Sequence, residues 1–231
     1  MAGEQAGDRV GTAAGGTGGT AGGTAVGDAL AAFVFVGGRP CLDFVATLGR
    51  RGSLDLERLP DPESLARWFS ESGLTPPHTP TASGTTARTA MRVTDADLER
   101  ARGLRESAYR LIRAAPEDRT PAPADVTRVN GFAAAPDLVP QLTWTPSGGP
   151  AAATGWTGED AVGAALSTVA RDTVTLLGSP LLARVKQCEN PVCALLFLDD
   201  SQARRRRWCS MERCGNLAKV AGYRSRSARR A

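Results

Sequence analysis

The sequence has little of the residue types on which most enzymes depend. Its 231 residues include one histidine, His78, and aromatic residues make up only 5%. Catalytic triads and histidine metal centres need an imidazole held beside a partner group. His78 falls in a loop rich in proline and threonine, and no pair of carboxylates stands out in its place. We therefore expect that the protein is not an enzyme.

Long apolar segments are also missing. The longest run, residues 29–36, is far shorter than the roughly 20 apolar residues of a membrane-spanning helix. The first residues carry neither the basic nor the apolar part of an export signal. We expect no membrane partner and a cytoplasmic, nucleoid-associated location.

Residues 1–28 contain almost nothing that could be buried. They repeat glycine, threonine and alanine (GTAAGGTGGTAGGTA), so folding would not recover the entropy lost on ordering them. They also lack the two glycine-rich motifs that bind phosphate, GxGxxG after a strand and GxxxxGK[ST]. The sequence predicts a disordered tail.

Residues 29–180 carry repeated signals for helices. A short strand over 33–36 is followed by predicted helices over 41–48, 62–72 and 95–115. The second helix starts with an N-cap followed by proline, and the third starts with a capping box. Glycine or proline marks the end of each helix. The residues are Asp61-Pro62 and Thr94 with Asp97 at the starts, and Gly49, Gly73 and Pro116 at the ends.

A fourth helix is predicted over 122–134, followed by a β-hairpin formed by LVPQLTWT and AAATGW. We expect the hairpin residues Trp144 and Trp156 to pack on the helices. Thr157 with Asp160 resembles another capping box, which opens a long amphipathic helix. The fold class is thus a mainly α N-terminal domain with a small β-hairpin.

Two roles are open for this helical domain. A pocket near Trp68 and the hairpin tryptophans could hold a small effector, or the domain could form a homodimer. Cys41 lies on a predicted helix with no base nearby in the sequence, so a buried structural thiol is favoured over a nucleophile.

The other four cysteines are crowded near the C-terminal end. Their spacing is Cys188-x4-Cys193-x15-Cys209-x4-Cys214. Four thiolates complete the tetrahedral coordination of Zn²⁺ and leave no position for a reactive water. Two disulfides or free thiols are the alternatives, but nothing in the sequence suggests export. One structural zinc ion is predicted, in a small α+β finger over residues 181–231.

The finger is predicted to contain a hairpin and a basic helix. Residues 194–198 and 204–208 would pair, with Phe197 and Trp208 as a small core. A helix would follow Cys214. One face of it carries Lys219, Tyr223, Arg226 and Arg230, and the other carries Leu217, Val220, Ala221 and Ala228.

Charge is divided unevenly along the chain. Residues 181–231 have a surplus of +8, whereas the residues before them sum to −4. Four thiolates around Zn²⁺ would offset part of the surplus, and the remainder still attracts a polyanion. DNA is the predicted partner, and an RNA- or protein-binding zinc module is the alternative. The predicted contacts are Arg204, Arg205, Arg206, Arg207, Lys219, Tyr223, Arg226 and Arg230.

The segment CENPVCALLFLDDSQARRRRWCSMERCGNLAKVAGYRSR resembles the CGNR-type zinc finger along its length. Upstream, GGRPCLDFVATL and SLARWFSESGL are similar to the ABATE domain that usually precedes this finger. The resemblance implies a bacterial, stress-induced transcription regulator whose finger binds DNA. Leu217 stands where the naming motif has arginine, and on the predicted apolar face it would exchange a phosphate contact for packing.

Overall fold

The structure is a computed structural model that describes residues 32–74, 91–117, 119–145, 149–155 and 160–228. The predicted tail and the predicted roles of His78, Trp156, Thr157 and Arg230 lie outside these residues. Within them, no helix is long and apolar enough to cross a membrane.

The first helix is shorter than the sequence predicts. Helix α1 (Pro40–Val45) is followed by strand β1 (Leu48–Gly49), which pairs antiparallel with β2 (Leu56–Glu57). The helix ends early because the hydroxyl and N–H of Thr47 both bond to the carbonyl oxygen of Phe44. The prediction of a helix through residue 48 was therefore wrong, and residues 33–36 do not form a strand.

Helices α2 (Pro62–Glu71) and α3 (Asp95–Ala114) confirm the predicted caps. The Asp61 carboxylate accepts a hydrogen bond from the Ser64 N–H at 2.8 Å, and the Thr94 hydroxyl accepts one from the Asp97 N–H at 3.2 Å. Both are complete capping boxes, since a side chain at the third helical position bonds back to the cap. A 3₁₀ turn at Ala115–Glu117 then ends the helical run.

Helix α4 (Pro123–Ala133) leads into the predicted hairpin of β3 (Val139–Thr145) and β4 (Gly149–Gly155). Trp144 does not pack on the helices as predicted. Its side chain is 71% exposed, and the residue opposite it in the hairpin is Pro150. Helix α5 (Ala161–Leu177) begins with Asp160 as its N-cap, because the Asp160 carboxylate accepts a hydrogen bond from the Gly163 N–H.

The main core is formed by α1, α2, α3 and α5. Its largest fully buried side chains include Trp68, Phe44 and Phe69, and the rings of Trp68 and Phe44 lie 4.9 Å apart. Trp68 is thus a core residue, and the effector pocket expected near it stays a prediction. Cys41 is also fully buried, as expected of a structural thiol.

The C-terminal segment packs directly on this core. Strand β5 (Val185–Gln187) pairs antiparallel with β6 (Leu196–Leu198). Leu196 belongs to the main core, and the Leu198 N–H donates to the carbonyl oxygen of Gly37 at 2.8 Å. The β5–β6 hairpin therefore joins the helical part to the four cysteines.

Candidate metal centre

The first cysteine pair lies on a tight turn after β5. The Cys188 N–H donates to the carbonyl oxygen of Leu195 at 2.8 Å, which continues the hairpin ladder by one step. Asn190 closes the turn, since its side-chain oxygen accepts from the Val192 N–H and its carbonyl oxygen accepts from the Cys193 N–H. This geometry directs both sulfurs to one side of the turn.

The second pair is built in a similar way around Ser210. Its hydroxyl accepts from the Arg213 N–H at 3.1 Å, and its carbonyl oxygen accepts from the Cys214 N–H at 3.2 Å. A π-helical turn at Met211–Gly215 then continues into helix α6 (Asn216–Ala228). The helix after Cys214 is thereby confirmed, and the fourth cysteine fixes its start.

The four sulfurs have the spacing that zinc requires. All lie within 4.8 Å of one another, and the Sγ atoms of Cys193 and Cys214 are 3.8 Å and 3.7 Å from that of Cys209. Zinc–sulfur bonds of about 2.3 Å in a tetrahedron place the sulfurs about 3.8 Å apart. The ligand set fits one structural zinc ion: Cys188, Cys193, Cys209 and Cys214.

The neighbouring thiols shift one another's pKa values. A hydrogen bond from the Cys209 thiol lowers the pKa of Cys193 to about 5, and the same bond raises the pKa of Cys209. Burial raises the pKa of Cys214 to about 11. Zinc binding displaces the thiol protons and holds four thiolates together.

Two N–H groups donate hydrogen bonds to the sulfurs, one from Asn190 and one from the backbone of a ligand. The Asn190 side-chain amide donates to the Cys214 Sγ at 3.3 Å, and the Cys209 backbone N–H donates to the Cys188 Sγ at 3.5 Å. Each bond links one cysteine pair to the other. Such donors stabilise thiolate charge and orient the ligands.

The predicted second strand over residues 204–208 is absent, and that part of the hairpin prediction was wrong. The partner of β6 is β5, which precedes the first cysteine. The arginine-rich loop instead bonds to the first cysteine turn, since the Glu189 N–H donates to the carbonyl oxygen of Arg207 at 2.9 Å. The predicted core is confirmed, because Phe197 is fully buried and Trp208 packs against the same cluster.

Asp199 anchors the arginine-rich loop. Its side chain is fully buried and accepts hydrogen bonds from the Lys186 ammonium at 2.7 Å, the Arg206 N–H at 2.9 Å and the Ser201 N–H at 3.1 Å. Burial alone would raise the pKa of this carboxyl, but these donors hold it well below its ordinary value. Sequence reasoning placed Asp199 only in a turn, because its partners converge through tertiary structure.

The predicted nucleic-acid contacts in this loop fall into two groups. Arg206 donates to the carbonyl oxygens of Leu198 and Cys209 and lies over the Phe197 ring, so we assign it to the scaffold of the finger. Arg207 is exposed but pairs with Glu189 at 2.6 Å. Arg204 and Arg205 are exposed, and neither side chain has an ion pair within the described residues.

Helix α6 presents both of its predicted faces to solvent. Lys219 is exposed, and Tyr223, one turn later, is 68% exposed. Arg226 lies in the helix, with its side chain outside the description. Leu217 and Val220 are 62% and 49% exposed, so the expected gain in packing from leucine at position 217 was wrong.

A cleft of about 420 Å³ joins the arginine-rich loop to the second cysteine turn. The sequence did not indicate that residues of the arginine-rich loop and of the second cysteine turn form one cleft, because they meet only in the folded finger. The lining residues are Arg205, Arg206, Arg207, Trp208, Ser210, Met211 and Glu212. Arg213, which precedes the ligand Cys214, is exposed.

The family comparisons agree with this architecture. Residues 38–180 match the ABATE family, described as "Putative stress-induced transcription regulator", and residues 184–227 match the CGNR zinc finger. A comparison with curated proteins gives no match. The ABATE match covers more than half of the 231 residues. The chain therefore belongs to the ABATE family and carries a C-terminal CGNR zinc finger with one structural zinc site.

Proposed function

We propose that this protein is a zinc-dependent, DNA-binding transcription regulator without enzymatic activity, acting at the nucleoid in the cytoplasm. The observation that carries the proposal is the cleft in which Arg205, Arg207 and Trp208 meet directly beside the ligand Cys209. Guanidinium groups bind phosphate, and the half-buried Trp208 ring, with Arg207 at 5.0 Å over it, leaves part of its surface for a base or sugar.

Zinc has a structural part in this proposal. A site with four thiolates has no open coordination position, so the ion fixes the turn that separates the arginine-rich loop from α6. Lys219 and Tyr223 on α6 then lie on an element held by the same ion. Leu217 cannot make the phosphate contact expected of the arginine in the family motif. In this proposal Arg204 and Arg205 provide the positive charge instead.

DNA binding is tested by Arg204→Gln with Arg205→Gln. Each phosphate contact on duplex DNA contributes about 0.9 to the slope of log affinity against log salt, so losing two contacts lowers the slope by about 1.8. Both side chains are exposed, and the bond from the Lys186 ammonium to Arg204 uses the backbone carbonyl oxygen, which glutamine keeps. The measurement is fluorescence anisotropy of the zinc-loaded protein on genomic fragments at several salt concentrations.

The matched control is Arg92→Gln with Arg100→Gln, which removes the same charge from exposed positions of the helical domain. It should leave the slope unchanged. Equal slopes for the two double variants, or no binding of wild type at low salt, would overturn the proposal. Binding of RNA without DNA would establish the alternative of an RNA-binding zinc module.

We further propose that the helical domain senses a small, mostly apolar effector. A cavity of about 310 Å³ lies among α3, α4 and α5, within the size range of ligand pockets. Leu111, Val129, Val174 and Leu177 provide its apolar walls, and Asn130 adds an amide. The homodimer alternative for this domain stays a prediction.

Val126→Trp tests this second step. Val126 lines the cavity and is 38% exposed, so an indole can fill the cavity from its rim without disturbing the buried core. A thermal-shift screen with small branched and aromatic acids should raise the Tm of wild type by a few degrees and leave the variant unchanged. Compounds that shift both proteins equally, or none that shifts wild type, would exclude sensing at this cavity.

A further inference from the structure

The four zinc ligands are not equally protected from solvent. Cys209 is fully buried, and Cys188 and Cys214 are 4% and 5% exposed. Cys193 is only partly buried, and Val192, which precedes it in the first cysteine turn, is 50% exposed. Of the four ligands, Cys193 is therefore the one that a small solute reaches most easily.

A second thiol lies within reach of Cys193. The Sγ atoms of Cys193 and Cys209 are 3.8 Å apart, and the two residues belong to different cysteine pairs. The turn that carries Cys193 is closed by two hydrogen bonds to Asn190, and its residues Pro191 and Val192 are exposed. A small movement of this exposed turn brings the two sulfurs into bonding contact.

Zinc binding puts these cysteines in the form that oxidants attack. The thiolate is the nucleophile in reactions with peroxides, and the bound ion holds all four ligands as thiolates. Exposure is then the property that separates one ligand from another. Oxidation-sensitive cysteines are typically accessible thiolates with a second cysteine beside them, which is the arrangement of Cys193 and Cys209.

We propose that Cys193 is an oxidation site of the finger, and that hydrogen peroxide joins it to Cys209 in a disulfide that expels zinc. The Cys193 thiolate attacks one oxygen of the peroxide, the O–O bond breaks and hydroxide leaves, which gives a sulfenic acid. The Cys209 thiolate then attacks that sulfur, and a second hydroxide leaves as the disulfide forms. The two sulfurs lose two electrons, and the peroxide with two protons from solvent becomes two waters.

The disulfide removes one ligand from each cysteine pair. Cys188 and Cys214 remain, and two thiolates do not complete the four-coordinate site that a structural zinc ion requires. The second cysteine turn continues directly into α6, so loss of the ion releases the start of this helix. Oxidation thus separates α6 from the first cysteine turn, whatever partner the finger binds.

The test is zinc release from the zinc-loaded full chain in hydrogen peroxide, followed with a chromophoric indicator. Wild type should release one zinc ion per chain as two thiols are lost, and reduction with a dithiol should restore zinc binding. Peptide mapping after a limiting amount of peroxide should identify a disulfide between Cys193 and Cys209 first. A first disulfide without Cys193, or zinc that stays bound after Cys193 is oxidised, would overturn the proposal.

Cys193→His removes the accessible thiol and keeps a ligand, because three cysteines and one histidine also form a structural zinc site. Its zinc release in peroxide should be slower than that of wild type by about tenfold or more, since the remaining thiolates are buried. The control is Cys41→Ala, which removes a buried thiol outside the cluster and should leave the rate unchanged. Equal rates in Cys193→His and wild type would contradict the proposal. If Cys193→His does not retain zinc, the first disulfide mapped in wild type decides alone.

Discussion

Cys209→Ser is expected to lower the zinc content from one ion per chain to none and to unfold the finger. Cys209 is fully buried, and its sulfur lies 3.8 Å and 3.7 Å from those of Cys193 and Cys214. Zinc binding contributes about 10–16 kcal/mol to the folding of comparable small fingers, so the three remaining ligands cannot hold this structure at neutral pH. Metal analysis and far-UV circular dichroism would measure both effects.

Cys41→Ala is the matched control for this experiment. Cys41 is equally buried, but it lies in the helical core and outside the sulfur cluster. Removing its sulfur should cost about 1 kcal/mol of stability and leave one zinc per chain. Full zinc occupancy in Cys209→Ser, or loss of zinc in Cys41→Ala, would contradict the assignment of the ligands.

Arg105→Met is expected to lower the free energy of unfolding by about 3–5 kcal/mol. The Arg105 side chain is 4% exposed and bonds to both oxygens of Glu57 at 2.7 Å and to Glu106 at 2.9 Å. Burial alone would raise the pKa of Glu57, but Arg105 reverses this and holds it below its ordinary value. Methionine matches the arginine stem in length and leaves this carboxylate partly buried without its main partner.

Arg100→Met on the same helix is the control. Arg100 is 48% exposed and pairs with Asp97 at 3.1 Å, a surface ion pair worth about 0–1 kcal/mol. Chemical denaturation monitored by tryptophan fluorescence gives both free energies. A loss below about 1 kcal/mol in Arg105→Met would show that the buried ion pair does not stabilise the junction of β2 with α3.

Local signals explain what could be predicted from the sequence. The caps at Asp61 and Thr94 bond to N–H groups three residues away, so their structure depends on neighbours in the sequence. The paired strands Val139–Thr145 and Gly149–Gly155 are likewise close in the sequence, with three residues between them. The ligands were also predictable, because two closely spaced pairs of cysteines supply the four sulfurs that tetrahedral zinc coordination requires.

The failures share a different cause. The sequence analysis paired residues 194–198 with 204–208, whereas β6 pairs with β5, and Leu196 of β6 lies in the main core. Arg206 looked like its neighbours, but the buried Asp199 and the Phe197 ring turn it into a scaffold residue. Exposure of Trp144 could not be predicted either, because alternation along a strand does not say which face meets the core.

The sequence by itself determined the zinc ligands, the helix caps and the basic charge of the finger, since these follow from residue type and short spacing. Tertiary structure decided which arginines are free to bind a partner, where the cavity lies and how the finger joins the helical domain. These features depend on contacts between distant segments, such as Ala46 beside the cysteines and Arg58 behind it. Long-range packing leaves no periodic pattern in the chain, so these contacts could be recognised only from the folded protein.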